Sequence, residues 1–589
     1  MKKLFLCLCL LTAMAMIVAC GGGNGTADDG GNQAGGQQGA AATPAPAAGA
    51  ATGEQAAATR GIDGIDWSEH VTFTWFMMAT PANDYYSDFA HNPVSRYLEH
   101  RFNVTFEYHQ APVGTDADHL ALMMGAGQHT DVIALASYTG SVSQLYYDNI
   151  IVDIAQWLDY MPNMRNLLET NPDFNRAARD DFGRILTLPM INEEPTHPWS
   201  GLMYRHDILE TMTDGNVQFP SGNDVPTTLA DWEYMLPLFL EYFQQAGFAD
   251  FAPLIIPAMG QSMGLFVWGE LMNTFGGFHG FYVRNGVVHA GMLEPAMFEY
   301  TRTMRDWFER GWIHQDFASQ TTGMFFMPNP PLVFGGATGA WFGMTMHMAD
   351  RMSMPDLGMH FDVRPMPSPM APGITHRDMI RRREGDFGVG LGPAVATSNP
   401  DIGRFLAIVD FLYSHEGGMM RQLGLTADQI PPNDTMMARM GMSEGAYWFG
   451  DDGLVVFHPN SDTAGGHINR AAANGIRFPG FNANSFENAV RTPEMVHAHA
   501  MWGAQDNYTE VHPLPDQLTP TVEEAAILSA NEARIHDLRD QMMASFIMGS
   551  VPLNEETWQN FVNQLIDVGY AENRDIWQAA YDRFLVRGQ

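Results

Sequence analysis

Ser262 lies at the centre of GQSMG (Gly260–Gly264), which fits the G-x-S-x-G pattern of a hydrolase nucleophile. The motif follows the apolar run FAPLIIP and precedes a predicted helix, the context in which such a serine is exposed. Asp and His residues follow later, so the order Ser–Asp–His is available. Five loosely defined positions match easily in a chain with 58 glycines, however, and the following loop has no HGGG-type signature for an oxyanion hole. We therefore expect no catalytic residues, and a hydrolase remains the alternative.

Aromatic rings beside polar side chains indicate a different chemistry, the binding of a ligand rich in hydroxyls. Rings suit the apolar C–H faces of a sugar, and charged or amide groups suit its hydroxyls. The chain has 13 tryptophans, and several are predicted at strand ends or in loops. The candidate binding residues chosen on this basis are Trp75, Asp131, Tyr138, Tyr204, Arg205, Asp207, Trp268 and Trp448. We expect several of them, not all, to touch ligand, because an isolated tryptophan is more often a packing residue. For Asp131, a capping or loop-bonding role is an equal alternative.

Metal and cofactor patterns are weak. His497 and His499, in HAH, would share one face only in a strand, and we predict unliganded surface histidines. GVGLG lacks the helix start of a dinucleotide site, and there is no phosphate-binding Walker A motif. DDGLVV and GGNQAGG lack the Asp/Asn ladder of a calcium-binding EF-hand loop. We expect no metal and no cofactor.

Cys20 is a candidate for covalent modification. It follows a basic start (Lys2, Lys3) and an apolar run, Leu4 to Val18, that is too short to span a membrane comfortably. The string IVAC that ends at Cys20 resembles the lipobox of bacterial lipoproteins. The resemblance implies cleavage before Cys20, lipidation of its thiol and attachment to the outer face of the cytoplasmic membrane, which faces the periplasm in a Gram-negative source. Residues 21–61, rich in Gly and Ala, form the predicted flexible leash.

Composition narrows the function further. The net charge is −36, and no lysine follows Lys3, which argues against nucleic acid as a partner and against anionic headgroups bound by charge. Cys7 and Cys9 lie in the signal, so the mature body has no disulfide and no thiol nucleophile. Roughly 520 residues remain after the leash, enough for two or more domains.

The order of elements predicts an α/β fold. Strand, helix, strand, helix and strand alternate from HVTFTWFMM (His70–Met78) to TDVIALAS, which is typical of a parallel sheet with ligands at the carboxyl ends of its strands. TTLADWEYMLPLFLEYF (Thr227–Phe243) is a predicted helix, and FYVRNGVVHAG is a predicted hairpin with an NG turn. The chain ends in two long predicted amphipathic helices, of which the second runs from Asn554 to Leu585.

Segments over about residues 67–587 resemble the extracellular solute-binding lipoproteins of ABC importers, the large carbohydrate-type family (family 1) that includes maltose-binding protein, and within it the long Gram-positive lipoproteins. The resemblance is carried by GAGQHTDVIAL, GRILTLPM, GLMYRHDIL, GWIHQDFAS, SEGAYWFGDDGLVV and SFIMGSVPLNEETWQNFVNQLIDVGY. It implies a two-lobe periplasmic-binding-protein-like fold (type II), with hinge-crossing segments between the lobes and C-terminal helices. It also implies that Trp341, in GATGAWFG, faces the cleft. Two stretches, 426–442 and 462–486, depart from the family pattern.

The resemblance sets the predicted organisation. The signal is 1–19, the lipidated cysteine and leash are 20–61, and lobe 1 begins with 62–195. Lobe 2 begins with 196–385, the return to lobe 1 is 386–420, and residues 421–589 hold the C-terminal helices and the remaining lobe segments. The predicted function is a membrane-tethered, monomeric, non-enzymatic binding protein that captures a carbohydrate, an oligosaccharide by preference, between its lobes. It delivers this ligand to an ABC permease pair with its ATPase.

Overall fold

The computed structural model describes residues 62–77, 89–111, 115–135, 138, 140–192, 200–256, 271–319, 329–344, 361–380, 392–431, 434–435, 445–450, 455–457, 478–482, 493–503, 511–515 and 517–587. The strands within these ranges are β1 (Val71–Met77), β2 (Val104–Gln110), β3 (Val132–Ala134), β4 (Met190–Asn192), β5 (Ser200–Arg205), β6 (Ala252–Leu254), β7 (Phe281–Arg284), β8 (Val287–Ala290), β9 (Thr338–Met344), β10 (Val363–Met366), β11 (Pro393–Val395), β12 (Tyr447–Phe449), β13 (Val455–Phe457), β14 (Gly480–Asn482) and β15 (Val511–Pro513).

The helices are α1 (Pro93–Phe102), α2 (Asp116–Gly125), α3 (Val142–Tyr147), α4 (Pro162–Thr170), α5 (Pro172–Ala178), α6 (His206–Met212), α7 (Leu229–Ala246), α8 (Pro295–Glu309), α9 (Pro330–Phe334), α10 (Ile402–Leu412), α11 (His415–Leu423), α12 (Pro493–Gly503), α13 (Val522–Met548), α14 (Glu555–Asp567) and α15 (Tyr570–Leu585). None of the helices described is long and apolar enough to cross a membrane.

Lobe 1 is built on a four-stranded sheet in the order β11-β3-β1-β2. β1 is parallel to both β2 and β3, as the strand–helix alternation predicts, and β11 is antiparallel to β3. The core of the lobe forms where apolar residues of β1 and β2 meet α10, with Phe73 packed edge-on against Phe405 at 5.4 Å between ring centroids. The carboxyl ends of three strands therefore share one edge of this sheet.

Lobe 2 has a mixed four-stranded sheet in the order β10-β5-β9-β6. Its core lies between this sheet and α7 and α8, where Trp232 and Trp307 stack at 5.9 Å. α7 starts at a capping box, in which the Thr228 hydroxyl accepts from the backbone of Asp231 and the Asp231 carboxylate accepts from the backbone of Thr228.

The chain passes between the two lobes at two points. The chain leaves lobe 1 through β4, which pairs in parallel with β14, and enters lobe 2 at β5. It returns from β10 in lobe 2 to β11 in lobe 1. This two-lobe α/β architecture with crossing segments is the predicted periplasmic-binding-protein-like fold.

The C-terminal helices pack on lobe 2, since side chains of α13 and α14 belong to its core. The single helix predicted from Asn554 to Leu585 is wrong, because α14 ends at Asp567 and α15 starts at Tyr570. The break falls at Gly569, whose φ of 102° lies in the left-handed region that favours glycine. The turn lets α15 pack against both α13 and β8.

Candidate ligand-binding site

A cavity of about 350 Å³ lies at the carboxyl edge of the lobe 1 sheet. The backbone N–H of Leu188 donates to the carbonyl of Pro393 at 2.9 Å, and Pro393 is paired with Ala134, the last residue of β3. Leu186, Thr187 and Pro189, which line the cavity, are thereby held beside the end of β3. Ligands of α/β sheets bind in such a position, and the volume falls within the usual range of about 300–1,000 Å³ for ligand pockets.

We call this cavity, which is lined by residues of segments 140–143, 177–180, 186–189 and 517–525, the junction cavity, because its walls come both from lobe 1 and from the C-terminal region that packs on lobe 2. Lobe 1 contributes the start of α3 and the end of α5, and the segment that packs with lobe 2 contributes residues around the start of α13. Polar lining residues are Ser141, Ser143, Arg179, Asp180, Thr187, Gln517 and Thr519. Among the described residues the lining includes no aromatic ring. Hydroxyl, amide and guanidinium groups are suited to a ligand with many hydroxyls.

Tyr138 does not line this cavity, but its ring packs against Gly140, which does. A Cβ built on Gly140, a lining residue, would lie 2.5 Å from the Tyr138 hydroxyl oxygen, so the ring lies directly over Gly140. Burial raises the pKa of the Tyr138 hydroxyl above its usual 10, and the charge of Asp148 adds to the rise. Tyr138 therefore stays a neutral hydroxyl that can donate or accept at physiological pH.

The floor of the cavity is stiffened by an ion pair. Asp180 accepts from the Arg184 Nε at 2.7 Å and from the backbone N–H groups of Phe182 and Arg184 at 2.9 and 3.0 Å. The Arg184 guanidinium lies over the Tyr146 ring, 4.5 Å from its centroid. Because the Asp180 carboxylate already accepts these three hydrogen bonds, we expect it to shape the cavity rather than to bind the ligand directly.

A second set of ion pairs ties the C-terminal helix to lobe 1 beside the cavity. Asp181 accepts from the Nε of Arg583 and from the Nε of Arg587, both at 2.6 Å. Arg583 also reaches Glu524 at the start of α13, with Nη1 to Oε1 at 3.0 Å. These contacts link residues about four hundred positions apart in the chain and fix one wall of the cavity against the other.

Asp131 bonds to a neighbouring strand and not within its own loop. Its Oδ2 accepts from the Thr74 backbone N–H at 2.7 Å and from the Thr74 hydroxyl at 2.8 Å. It precedes β3, so it lies at the amino end of that strand, opposite to the cavity. Its side chain therefore stabilises the sheet.

Three predicted binding aromatics are buried in hydrophobic cores, which differs from the expected position in an open cleft. Trp75 is 2% exposed, and Tyr204 and Trp341 have no exposed surface. Trp75 does not end β1, as predicted, but lies inside it and packs against Phe405 at 5.5 Å between centroids. Trp341 pairs across the sheet with Met203. Each of these side chains is packed on all sides within the core of one lobe, so none of them offers a ring face to a sugar.

Arg205 and Asp207 also differ from the prediction, because they bind each other. The Nε and Nη2 of Arg205 donate to the two carboxylate oxygens of Asp207 at 2.8 and 2.5 Å. The Nη1 donates to the carbonyl of Gly336 at 3.1 Å, and the guanidinium lies 3.8 Å from the centroid of the Phe361 ring. With 3% of Arg205 exposed, this group is an internal brace of lobe 2.

The remaining predicted residues divide into two groups. Cys20, Ser262 and Trp268 lie outside the described residues. Trp448 is 42% exposed on β12, opposite Val456 on β13, so its ring is open to solvent.

The prediction of two surface histidines in HAH is half wrong. Both lie on α12, and His499 is buried while His497 is exposed, because neighbours two positions apart point to different sides of a helix.

Sequence reasoning missed the cavity-lining residues Ser141, Arg179 and Thr519. The pattern SVSQ offered one signal, since Ser141 caps α3 by accepting from the Gln144 backbone N–H at 3.3 Å. Nothing in the sequence indicates that Thr519 lies across from it. A further cluster of three groups with metal-ligand chemistry, His206, Glu210 and Asp362, lies in lobe 2 and was not predicted.

No family model matches the sequence, and no curated protein matches it. Solved structures do. One is titled an HMO binding ABC-transporter associated solute-binding protein from Bifidobacterium longum infantis, with 19% identity and a TM-score of 0.70, covering 87% of this chain and 99% of that one. Another is the Streptococcus pneumoniae ABC-transporter substrate-binding protein FusA in complex with kestose, with 16% identity, a TM-score of 0.65, and coverage of 87% and 99%. The alginate-binding protein AlgQ2 matches with 18% identity, a TM-score of 0.61, and coverage of 87% and 98%. At these identities the likeness shows the fold, which is that of two-lobe solute-binding proteins.

Proposed function

We propose that this protein is a non-enzymatic solute-binding protein that captures a carbohydrate, an oligosaccharide by preference, and delivers it to an ABC importer. The observation that carries the proposal is the junction cavity at the carboxyl edge of the lobe 1 sheet, whose mixed apolar and polar lining comes from two parts of the fold. The solved structures of this fold include an alginate-binding protein and a complex of FusA with kestose.

The proposed cellular arrangement rests on the N-terminal sequence. Residues 1–19 act as the signal, Cys20 carries the lipid, and residues up to 61 hold the body away from the membrane. The protein then works as a monomer on the outer face of the cytoplasmic membrane. Its partners are a permease pair with an ATPase, and the acidic charge disfavours nucleic acid.

A glycan panel tests the proposal by thermal shift, followed by calorimetric titration of the hits. The body beginning at Ala58 is one compact unit and suits the assay. A true ligand at a hundred times its dissociation constant adds about 2.7 kcal/mol to the free energy of unfolding. If no saccharide stabilises the body, the carbohydrate proposal fails.

A blocking variant tests whether the junction cavity is the site. Ala177 lines the cavity near the end of α5, and Ala177→Trp fills it. Ala246 ends α7 on an exposed surface, so Ala246→Trp is the matched control. We expect at least tenfold weaker binding in the first variant and unchanged binding in the second. Equal affinity in both would place the ligand elsewhere.

The hydrolase alternative gives a different outcome in the same assay. Product release from a glycan or an ester that disappears in Ser262→Ala would replace the binding-protein proposal. Binding without turnover, unchanged in Ser262→Ala, supports it.

A further inference from the structure

His206, Glu210 and Asp362 bring three metal-ligand atoms together at one edge of lobe 2, away from the junction cavity. One imidazole nitrogen and two carboxylate oxygens all lie within 4.8 Å of one another. His206 and Glu210 are one turn apart on α6, and Asp362 directly precedes the edge strand β10. The backbone N–H of His206 donates to the carbonyl of Asp362 at 2.8 Å, which fixes the helix start against the strand.

The distance between the ligand atoms of His206 and Glu210 is close to the distance between two ligands bound to one metal ion. The Nε2 of His206 lies 3.5 Å from the Oε1 of Glu210. Two ligands about 2.0–2.1 Å from one tetrahedral zinc ion are about 3.3 Å apart. His206 is only 6% exposed, so its ring has little freedom to turn away, while Glu210 is exposed and can adjust.

The neighbouring groups orient the cluster as outer partners orient metal ligands. The hydroxyl of Tyr204 faces the Nδ1 of His206 at 3.5 Å, which leaves Nε2 directed toward the carboxylates. Arg364 donates to Asp362, with Nη2 to Oδ2 at 2.6 Å and Nε to Oδ1 at 3.1 Å. A carboxylate offers about four lone-pair sites, so these bonds leave capacity for an ion. The positive charge of Arg364 weakens binding but also holds the Asp362 carboxylate in place.

We propose that His206, Glu210 and Asp362 bind a divalent transition-metal ion of the zinc class, with water completing a tetrahedral site. One imidazole with two carboxylates suits zinc, whereas calcium and magnesium prefer oxygen ligands alone. The ion joins α6 to the edge strand of the lobe 2 sheet, so its effect is to stabilise that lobe. The proposal goes beyond the proposed function and does not depend on it.

The test is calorimetric titration of zinc chloride into the full chain after chelator treatment, with bound metal counted by elemental analysis. Glu210→Gln is the main variant, because this exposed side chain is not needed for packing, and it should weaken zinc binding at least tenfold. His206→Ala should do the same. His289→Ala is the matched control, since His289 lies 3.1 Å from Glu294 and these two residues belong to no such cluster of three among the described residues.

The outcomes separate clearly. Saturable zinc binding that is lost in Glu210→Gln and kept in His289→Ala supports the site, and a zinc-dependent rise in melting temperature should disappear in the same variant. Absence of saturable binding overturns the proposal. Equal zinc affinity in the wild type and in Glu210→Gln also overturns it, because the metal would then sit on other histidines.

Discussion

Replacing Trp341 distinguishes a packing role from a ligand-binding role. The side chain has no exposed surface and belongs to a core cluster with Met203, Ile255, Val333 and Trp502. A buried tryptophan removes about 200 Å² from water, which at about 25 cal/mol per Å² corresponds to about 5 kcal/mol. Alanine keeps the Cβ contacts but leaves a cavity, so Trp341→Ala should lower the free energy of unfolding by about 3–5 kcal/mol.

The assay is denaturant unfolding of the wild type and the variant, with calorimetric titration of a ligand found in the glycan screen. For the unfolding measurement alone, Trp448→Ala is the matched control, because this tryptophan is 42% exposed and its replacement should cost about 1 kcal/mol or less. Trp341→Phe should cost less than Trp341→Ala. Phenylalanine keeps most of the ring and removes an indole N–H that is buried without an acceptor.

If Trp341 only packs in the core, its replacement should leave ligand affinity nearly unchanged. At temperatures where the variant is folded, Trp341→Ala should bind ligand within a few-fold of the wild type. A variant that unfolds like the wild type and loses binding would refute the reasoning. Trp341 would then face the cleft, as the family resemblance implies.

Three further changes have expected outcomes. Asp181→Asn should cost about 3–5 kcal/mol, because Arg587 loses its buried partner, and unfolding curves of this variant and an exposed control, Asp575→Asn, measure it. Burial alone would raise the pKa of Asp231, but hydrogen bonds from the backbones of residues 221, 227 and 228 lower it below 3.8. The contribution of the ionised Asp231 carboxylate to the free energy of unfolding is therefore present above pH 4 and is lost as the pH falls through the lowered pKa. The wild type should be about 1–2 kcal/mol more stable than Asp231→Asn at pH 7, and this difference should become smaller in acid. Cys20→Ala should move the protein out of the membrane fraction or leave it unprocessed, and an unlipidated full-length Cys20→Ala protein that stays membrane-bound would contradict the anchor.

The alternation of strands and helices was predictable because it depends on local patterns. β1, α1, β2, α2 and β3 follow the predicted order, and the pairing of β1 with β2 and β3 is parallel. The hairpin at Asn285 and Gly286 was predictable for the same reason, since both residues take the positive φ that its turn requires. Local chemistry determines these features, so one sequence is enough to find them.

The junction cavity was not predictable, because its walls meet only after folding. Ser141 and Thr519 are far apart in the chain, and the contact that sets them together is an ion-pair set between Asp181 and arginines at the C-terminus. Charged residues of this kind look like ordinary surface residues in a sequence. The sequence does not show whether a charged residue will be solvated or buried in an ion pair, and only the folded structure distinguishes the two.

Trp341 shows why the binding aromatics were assigned to the wrong environment. The family resemblance implies that Trp341, in the segment GATGAWFG, faces the cleft. In the structure the same segment forms β9, and a Cβ at Gly339 would lie 2.4 Å from the ring of Phe239 on α7. The glycine is needed because a helix side chain packs directly on the strand backbone there. Small residues therefore mark close packing of helix on sheet at this point, and Trp341, two residues further along β9, packs in a core cluster with Met203 and Trp502. Its size serves the core of lobe 2, so an aromatic contact with the proposed ligand should be sought among rings that keep accessible surface, such as the half-buried Tyr138 and the exposed Trp448.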